Sequence, residues 1–287
     1  MHIKQIGQGG KTIVLMPGWD TLMSSLGPAL PTADFAPLMR ELSQNHTVCI
    51  IEFFGYGLSD SIDRPHTNEN YVQEIREALK LVGLKPPYVL MPYSSAGIYC
   101  EYYGVVYPDE VEALILLDTL PTIENFAEML VFPEKKLEKL SAQKHSKLTI
   151  GLGSVLTKLI LRIRGKKQTY IQMGYTKDDI IEMASTPSHM GTLVAQMRAL
   201  PNNLRELLAL KSKLEIPIML LSSGQMKEDV KYQKHLKEYL KKLGEHTKHM
   251  VIDGSTHINI YGQREYRKVI FREVDAFLKI LDENCPE

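Results

Sequence analysis

Short, continuously apolar runs alternate along this chain with longer amphipathic stretches, and few architectures accept that alternation. Ile13–Met16, Thr47–Phe53, Tyr88–Met91, Ala113–Leu117, Ile216–Leu221 and His249–Ile252 are such runs. A run that is apolar at every position, instead of at every second one, suits a strand covered on both faces. Helical patterns at Asp34–Leu42, Thr67–Val82, Ser95–Tyr107, Val230–Leu243 and Gln263–Leu281 separate or follow the runs. Strand and helix in strict turn predict an α/β fold with a mostly parallel central sheet flanked by helices. Ile3–Ile6, ahead of Gly7-Gln8-Gly9-Gly10, predicts a short antiparallel strand and a tight turn.

The alternation breaks between Leu120 and about Leu210, where the strand signal disappears and helical stretches such as Ser154–Arg164 and Asp178–Ala184 take over. This predicts a core of residues 1–119 and 211–287 with a helical insertion, residues 120–210, between two strands of the sheet. The insertion is rich in Lys and Arg. In Ser154–Arg164, Val155, Leu156, Leu159, Ile160 and Ile163 share one helical face and Lys158 and Arg162 the other, the pattern of a helix laid on an apolar surface. Such a face suits a pocket for an acyl or aromatic group. The same basic helix also admits contact with anionic lipid.

Charge and cysteine usage narrow the class. Lys plus Arg and Asp plus Glu are both 34, a net charge of zero, without the basic excess usual for nucleic-acid binding. With 44% hydrophobic residues the 287-residue chain can bury a full core without disulfides or metal. The three cysteines, Cys49, Cys100 and Cys285, form no CxxC, and the first two lie in apolar surroundings, so neither a disulfide framework nor a zinc site is expected. The first residues lack the apolar core of a signal peptide. Leu148–Ile163, interrupted by Lys158, is too short and too charged to span a bilayer. The cytosol is the expected compartment, and no cofactor or metal is expected.

The chemistry concentrates around Tyr88-Val-Leu-Met-Pro-Tyr-Ser-Ser-Ala-Gly-Ile98, where a buried strand meets a helix through a tight turn. A serine at such a turn is thrust out above the sheet, and Ala96 and Gly97 supply the small neighbours it needs. Ser94 is the preferred nucleophile. Ser95 is the rival, disfavoured because it would put bulky Tyr93 at the crowded position. The plain alternative is that Ser94 only caps the helix. Serine needs a base within hydrogen-bond reach. Of nine histidines, His46, His66, His145 and His246 lie in charged helices or loops and read as solvated. His257, in Asp253-Gly254-Ser255-Thr256-His257, follows the last apolar run and precedes the final helix, at the strand ends where such sheets bind ligands. Pro17-Gly18-Trp19-Asp20 follows the first buried run and can present the Trp19 N–H, beside the Ser95 N–H, to an oxyanion. Glu52-Phe53-Phe54-Gly55-Tyr56-Gly57-Leu58-Ser59-Asp60 reads only as a tight loop.

Taken in order, these segments resemble the α/β-hydrolase fold superfamily: P-G-W-D for H-G-x, F-F-G-Y-G-L-S-D for D-x-x-G-x-G-x-S-D, P-Y-S-S-A-G for G-H-S-x-G-G, then L-L-D and G-S-T-H. Pro92 replaces the usual Gly. The resemblance implies Ser94 as nucleophile, His257 as base, Trp19 and Ser95 as oxyanion donors, and the insertion as a helical cap. It leaves the acid open. The usual position after the penultimate strand holds Lys227, so Glu228 or Asp229 serves only in a longer loop. Asp118, at the end of Ala113–Leu117, is preferred, and only one acid is required. The implied activity is cleavage of a small carboxylic ester or related acyl compound. Lyase, haloperoxidase-like or peptidase chemistry on the same residues, and a non-catalytic ligand-binding role, are the alternatives.

Overall fold

The structure is a computed structural model that describes residues 1–18, 31–142, 188–210, 214–227, 230–244 and 247–284. Its strands are β1 (His2–Ile6), β2 (Thr12–Met16), β3 (Thr47–Glu52), β4 (Tyr88–Pro92), β5 (Val111–Leu117), β6 (Ile218–Ser223) and β7 (Lys248–Ile252). They form one sheet in the order β1-β3-β2-β4-β5-β6-β7. β1 runs antiparallel to β3, and the other pairings are parallel.

The helices of the described residues are α1 (Pro31–Leu42), α2 (Asn68–Leu81), α3 (Ala96–Val106), α4 (Glu124–Met129), α5 (Glu134–Ala142), α6 (Ser188–Ala209), α7 (Val230–Leu243) and α8 (Arg264–Asn284). The sheet has a core on each side. Ile13 and Leu15, Val89 and Met91, and Ala113, Ile115 and Leu117 face α1 and α8; Val14 and Met16, Leu90, and Leu114 and Leu116 face α2, α3, α6 and α7. This two-sided burial explains the continuous apolar runs, since neither pleat face meets water. Each such Leu, Ile or Val contributes about 1.5–3 kcal/mol by leaving water.

Thr67 caps α2 by accepting from the Asn70 N–H at 3.2 Å, and Gly83 follows that helix at φ +78°. Several boundaries differ from the sequence reading. β6 begins at Ile218 and not Ile216, because Pro217 lacks the N–H that a ladder uses. α1 begins at Pro31, where a first-turn proline costs no hydrogen bond, instead of at Asp34. β3 ends at Glu52 and β4 runs one residue further, into Pro92. α3 begins at Ala96 and not Ser95, since the left-handed Ser94 precedes it and Ser95 becomes its N-cap.

Between β5 and β6 the described residues hold α4, α5 and α6. Ser154–Arg164 and Asp178–Ala184 lie outside the described residues. Among the described residues no helix is long and apolar enough to cross a membrane.

The order of the strands positions the site. β2 has β3 on one side and β4 on the other, so successive crossovers depart in opposite directions from β2. A crevice opens at the carboxyl ends of the strands at such a point. Gly18, Ser94, Asp118 and His257 all follow the carboxyl ends of parallel strands.

Candidate active site

The turn from β4 to α3 is built around Ser94 and packed on all sides. Ser94 stands at φ +57°. A non-glycine residue held there costs about 1–3 kcal/mol, which surrounding contacts must offset. Its N–H donates to Leu117 O at 3.3 Å, and its own carbonyl accepts from Gly97 at 3.2 Å and Leu120 at 3.2 Å. Small neighbours are a steric necessity. A Cβ on Gly18 would lie 2.5 Å from Tyr93 O and 2.8 Å from both Ser94 Cβ and Ser95 N. A Cβ on Gly97 would lie 2.8 Å from Thr119 Cβ. Pro92 is accommodated because the ladder continues past it: Tyr93 N–H donates to Met16 O at 2.9 Å and Ser94 N–H donates on the β5 side.

Ser94 is 5% exposed, and its Oγ lies 3.1 Å from His257 Nε2. His257 Nδ1 lies 2.6 Å from Asp118 Oδ2. The Asp118 side chain is 1% exposed against 30% for His257. Asp118 also has a left-handed backbone, at φ +46°. Its second oxygen, Oδ1, accepts the Ser223 N–H at 2.7 Å from the end of β6. A buried carboxylate with one oxygen on a backbone donor and the other on an imidazole leaves Nε2 as the acceptor facing the serine hydroxyl. That arrangement can abstract the hydroxyl proton.

The histidine loop is fastened to the end of β6. Ser255, 1% exposed, donates its hydroxyl to Ile252 O at 2.6 Å and accepts the Gly224 N–H at 3.2 Å. Its carbonyl accepts the Gln225 N–H at 2.9 Å. Gly224 is required for this approach, since a Cβ there would lie 2.7 Å from Gly254 N. Thr256 N–H donates to Asn259 Oδ1 at 2.7 Å, closing the turn that carries His257.

The structure thus brings together Ser94, His257 and Asp118. It is Ser94, not Ser95, that reaches the histidine; Ser95 is buried at the start of α3, with αR backbone angles and no hydrogen bond from its side chain to the helix it caps. Trp19, Glu228 and Asp229 lie outside the described residues.

His46 departs from the sequence reading. It is 6% exposed, its Nδ1 accepts the Lys11 N–H at 3.3 Å, and its Nε2 lies 3.5 Å from Asp275. Tertiary contact with α8 covers it, which its charged local sequence did not indicate. Burial holds its pKa below the usual imidazole range.

The Glu52–Asp60 loop is more than a tight turn. Buried Glu52 accepts Thr32 N–H at 3.0 Å, Thr32 Oγ1 at 2.7 Å and Leu58 N–H at 2.7 Å, and faces His2 Nδ1 at 3.1 Å. Burial pushes its carboxyl up, but His2, Thr32 and the Leu58 N–H together hold it below the usual range. A Cβ on Gly57 would overlap that carboxylate, which accounts for the second glycine of the loop. Cys49 and Cys100 are buried, and burial pushes the Cys49 thiol up to about 12, so it behaves as an inert core residue. Among the described residues no three His, Cys, Asp or Glu side chains form a metal-ligand set.

Sequence reasoning did not single out the supports of this site: Tyr93, Ser223 and Ser255. Only the alternation of β4 hinted at Tyr93, by placing it on the face of Val89 and Met91.

With the geometry established, comparisons with known proteins converge. A family model described as alpha/beta hydrolase fold matches residues 11–147. The uncharacterized protein YbdG of Bacillus subtilis is 32% identical over 118 residues, 41% of this chain and 34% of that protein. The pimeloyl-[acyl-carrier protein] methyl ester esterase of Xylella fastidiosa is 27% identical over 121 residues, 42% of this chain and 41% of the enzyme. The chain spans about a third to a half of the length of the curated relatives it matches. A thermophilic esterase from Thermogutta terrifontis superposes with a TM-score of 0.65 at 16% identity, covering 98% of this chain and 93% of the esterase.

Proposed function

We propose that this chain, whose residues 11–147 match the alpha/beta hydrolase fold model, is a cytosolic serine hydrolase that cleaves a small carboxylic ester or related acyl compound. The observation that carries this reading is the unbroken relay from Ser94 Oγ through His257 to Asp118, at 3.1 and 2.6 Å.

In this reading Ser94 Oγ attacks the substrate carbonyl as His257 Nε2 takes its proton. The tetrahedral oxyanion is held by the Ser95 N–H at the start of α3 and the Trp19 N–H after β2. Two such donors, fixed in advance, are worth about 3 kcal/mol each in a comparable enzyme. The imidazolium then gives its proton to the departing alkoxide, leaving an acyl group on Ser94. Water, deprotonated by the same imidazole, attacks the acyl-enzyme and restores the serine. Asp118 holds the Nδ1–H tautomer and stabilises the imidazolium without taking the proton.

Residues 120–210 act in this proposal as a cap over the site. α6 supports that role. Leu193, Val194, Met197 and Leu200 are buried on one side of it, and Gln196 accepts the Tyr56 hydroxyl at 2.6 Å, tying the helix to the Glu52–Asp60 loop. An apolar cap face favours a substrate with an apolar acyl or aromatic group. The esterase names among the similar proteins point the same way.

A fluorophosphonate probe and p-nitrophenyl esters of short and long chain test the proposal on wild type, Ser94→Ala, Ser95→Ala and His257→Ala. Loss of labelling and turnover in Ser94→Ala, loss of turnover in His257→Ala and retention in Ser95→Ala are expected. A wild-type protein that neither labels nor turns over any ester would overturn the reading in favour of ligand binding or non-ester chemistry.

A further inference from the structure

The residue directly before Ser94 also grips the histidine opposite it. The Tyr93 ring lies face to face with the His257 imidazole, with centroids 4.7 Å apart and planes 19° apart. The Tyr93 hydroxyl donates to the backbone carbonyl of His257 at 2.5 Å. One side chain therefore meets both the ring and the main chain of the same histidine.

Tyr93 is itself held on its edges. Phe35 of α1 approaches it edge-on at 5.5 Å and Tyr261, ahead of α8, at 5.1 Å. Phe35 and Tyr261 stack on each other at 4.2 Å. Tyr93 is 7% exposed, and its N–H is fixed to Met16 O of β2 at 2.9 Å. A ring wedged between two others, on a backbone pinned into a parallel sheet, has little freedom to tilt.

The arrangement ties the two reacting groups to one residue. Ser94 follows Tyr93 in the chain, so its Oγ is placed by the Tyr93 backbone. His257 lies 163 residues beyond Ser94 and is placed by the Tyr93 side chain. The 3.1 Å separation of Ser94 Oγ and His257 Nε2 is thereby bridged through one residue, by its backbone on the serine side and by stacking and a hydrogen bond on the histidine side. The Asp118 contact restrains the imidazole edge at Nδ1 but not its tilt, and the tyrosine face supplies that second restraint.

We propose that Tyr93 is a positioning residue that sets the tilt and height of the His257 ring over Ser94, through stacking on the imidazole and the hydroxyl bond to the His257 carbonyl. The inference rests on the serine-hydrolase reading. It assigns Tyr93 no contact with substrate, so its loss lowers kcat and leaves KM in place. A misplacement of about 1 Å between reacting groups costs about 10²-fold in rate.

Two variants separate the two contacts. Tyr93→Phe keeps the ring and removes the hydroxyl bond; Tyr93→Leu removes both. Steady-state ester hydrolysis, fluorophosphonate labelling rates, thermal melts and the far-downfield proton resonance of the His257 Nδ1–H against Asp118 are measured on each. For Tyr93→Phe a drop in kcat of about fivefold to tenfold is expected, the scale of one hydrogen bond. For Tyr93→Leu the expected drop is about 10²-fold. In both, KM is unchanged and the His257 resonance broadens or shifts, while the phenylalanine variant, with its ring intact, retains most of the signal.

Variants that fold and show wild-type kcat and an unaltered resonance overturn the inference. So does a rise in KM at constant kcat, which would put Tyr93 in the substrate pocket. If Tyr93→Leu does not fold, Tyr93→Phe decides alone. If the wild type neither labels nor hydrolyses esters, the serine-hydrolase reading fails, and the resonance comparison still decides whether Tyr93 holds His257.

Discussion

Ser223, the last residue of β6, donates its peptide N–H to Asp118 Oδ1 at 2.7 Å, across from the neighbouring strand β5. The pair places a carboxylate just after one strand and its backbone donor at the end of the next. Asp118→Asn keeps an oxygen for the Ser223 N–H but turns an amide NH₂ toward His257 Nδ1, which then favours the wrong tautomer. A fall in kcat of about 10²–10⁴-fold with little change in thermal stability is expected. Ester hydrolysis by Asp118→Asn, beside Glu228→Gln and Asp229→Asn, checks it. Activity lost in either of the latter two, with Asp118→Asn unaffected, would move the acid to the β6 loop.

Gly18 touches the serine turn with its backbone alone. In Gly18→Ala the new methyl carbon would lie 2.5 Å from Tyr93 O and 2.8 Å from Ser95 N, both backbone atoms with little room to yield. A destabilisation of about 1–3 kcal/mol is expected from the overpacking. Turnover falls as well, because the strain is relieved by moving Ser94. Chemical denaturation together with probe labelling is the measurement, and wild-type behaviour in both refutes the steric account.

Ser255 anchors the histidine loop without touching the histidine. Ser255→Ala takes from the Gly224 N–H its hydroxyl acceptor and from Ile252 O one of two donors, the Ser255 N–H at 3.2 Å remaining. Losing these contacts costs about 1–3 kcal/mol. The loop that carries His257 loosens, so kcat declines more than KM. Kinetics and urea melts of the variant, with Ser255→Thr as a control that retains the hydroxyl, decide the matter.

Glu101 gives a pH signature of its own. It is buried in α3, accepting from Thr122 Oγ1 at 2.6 Å and Tyr239 OH at 2.5 Å. Burial pushes its carboxyl up to about 7, against those two hydroxyl bonds, from an ordinary 4.5. Between these values the native state holds more protons than the unfolded chain. Stability therefore falls as pH rises through that window and levels off above it. Glu101→Gln removes the charge that burial disfavours. It should match wild type best near pH 5 and gain on it near pH 8, as read by thermal melts at the two pH values. A constant offset between the two proteins across that range would exclude Glu101 as the source.

Much of the site was legible before any contact was seen. Ser94 and His257 could be read because each sits just beyond an apolar run, where the strand must end and a polar residue is pushed out at the carboxyl edge. Asp118 could be placed among the candidates for the same reason, but not chosen, since nothing local distinguishes a carboxylate that faces an imidazole from one that faces water. The misread His46 makes the same point in reverse: its neighbours in the chain are polar, and the Asp275 that meets it is on α8.

The sequence by itself determined the sheet, its two apolar faces, the strand ends where Ser94, Asp118 and His257 stand, and the small residues beside Ser94. These depend on periodicity and sterics, which operate over a few residues. The tertiary structure alone decided which acid meets His257, that Tyr93 lies against the same ring, and that Ser223 and Ser255 hold the two loops together. Those relations join residues more than a hundred positions apart or on different strands, and they depend on angles and distances of ångström scale that arise only once the sheet has assembled.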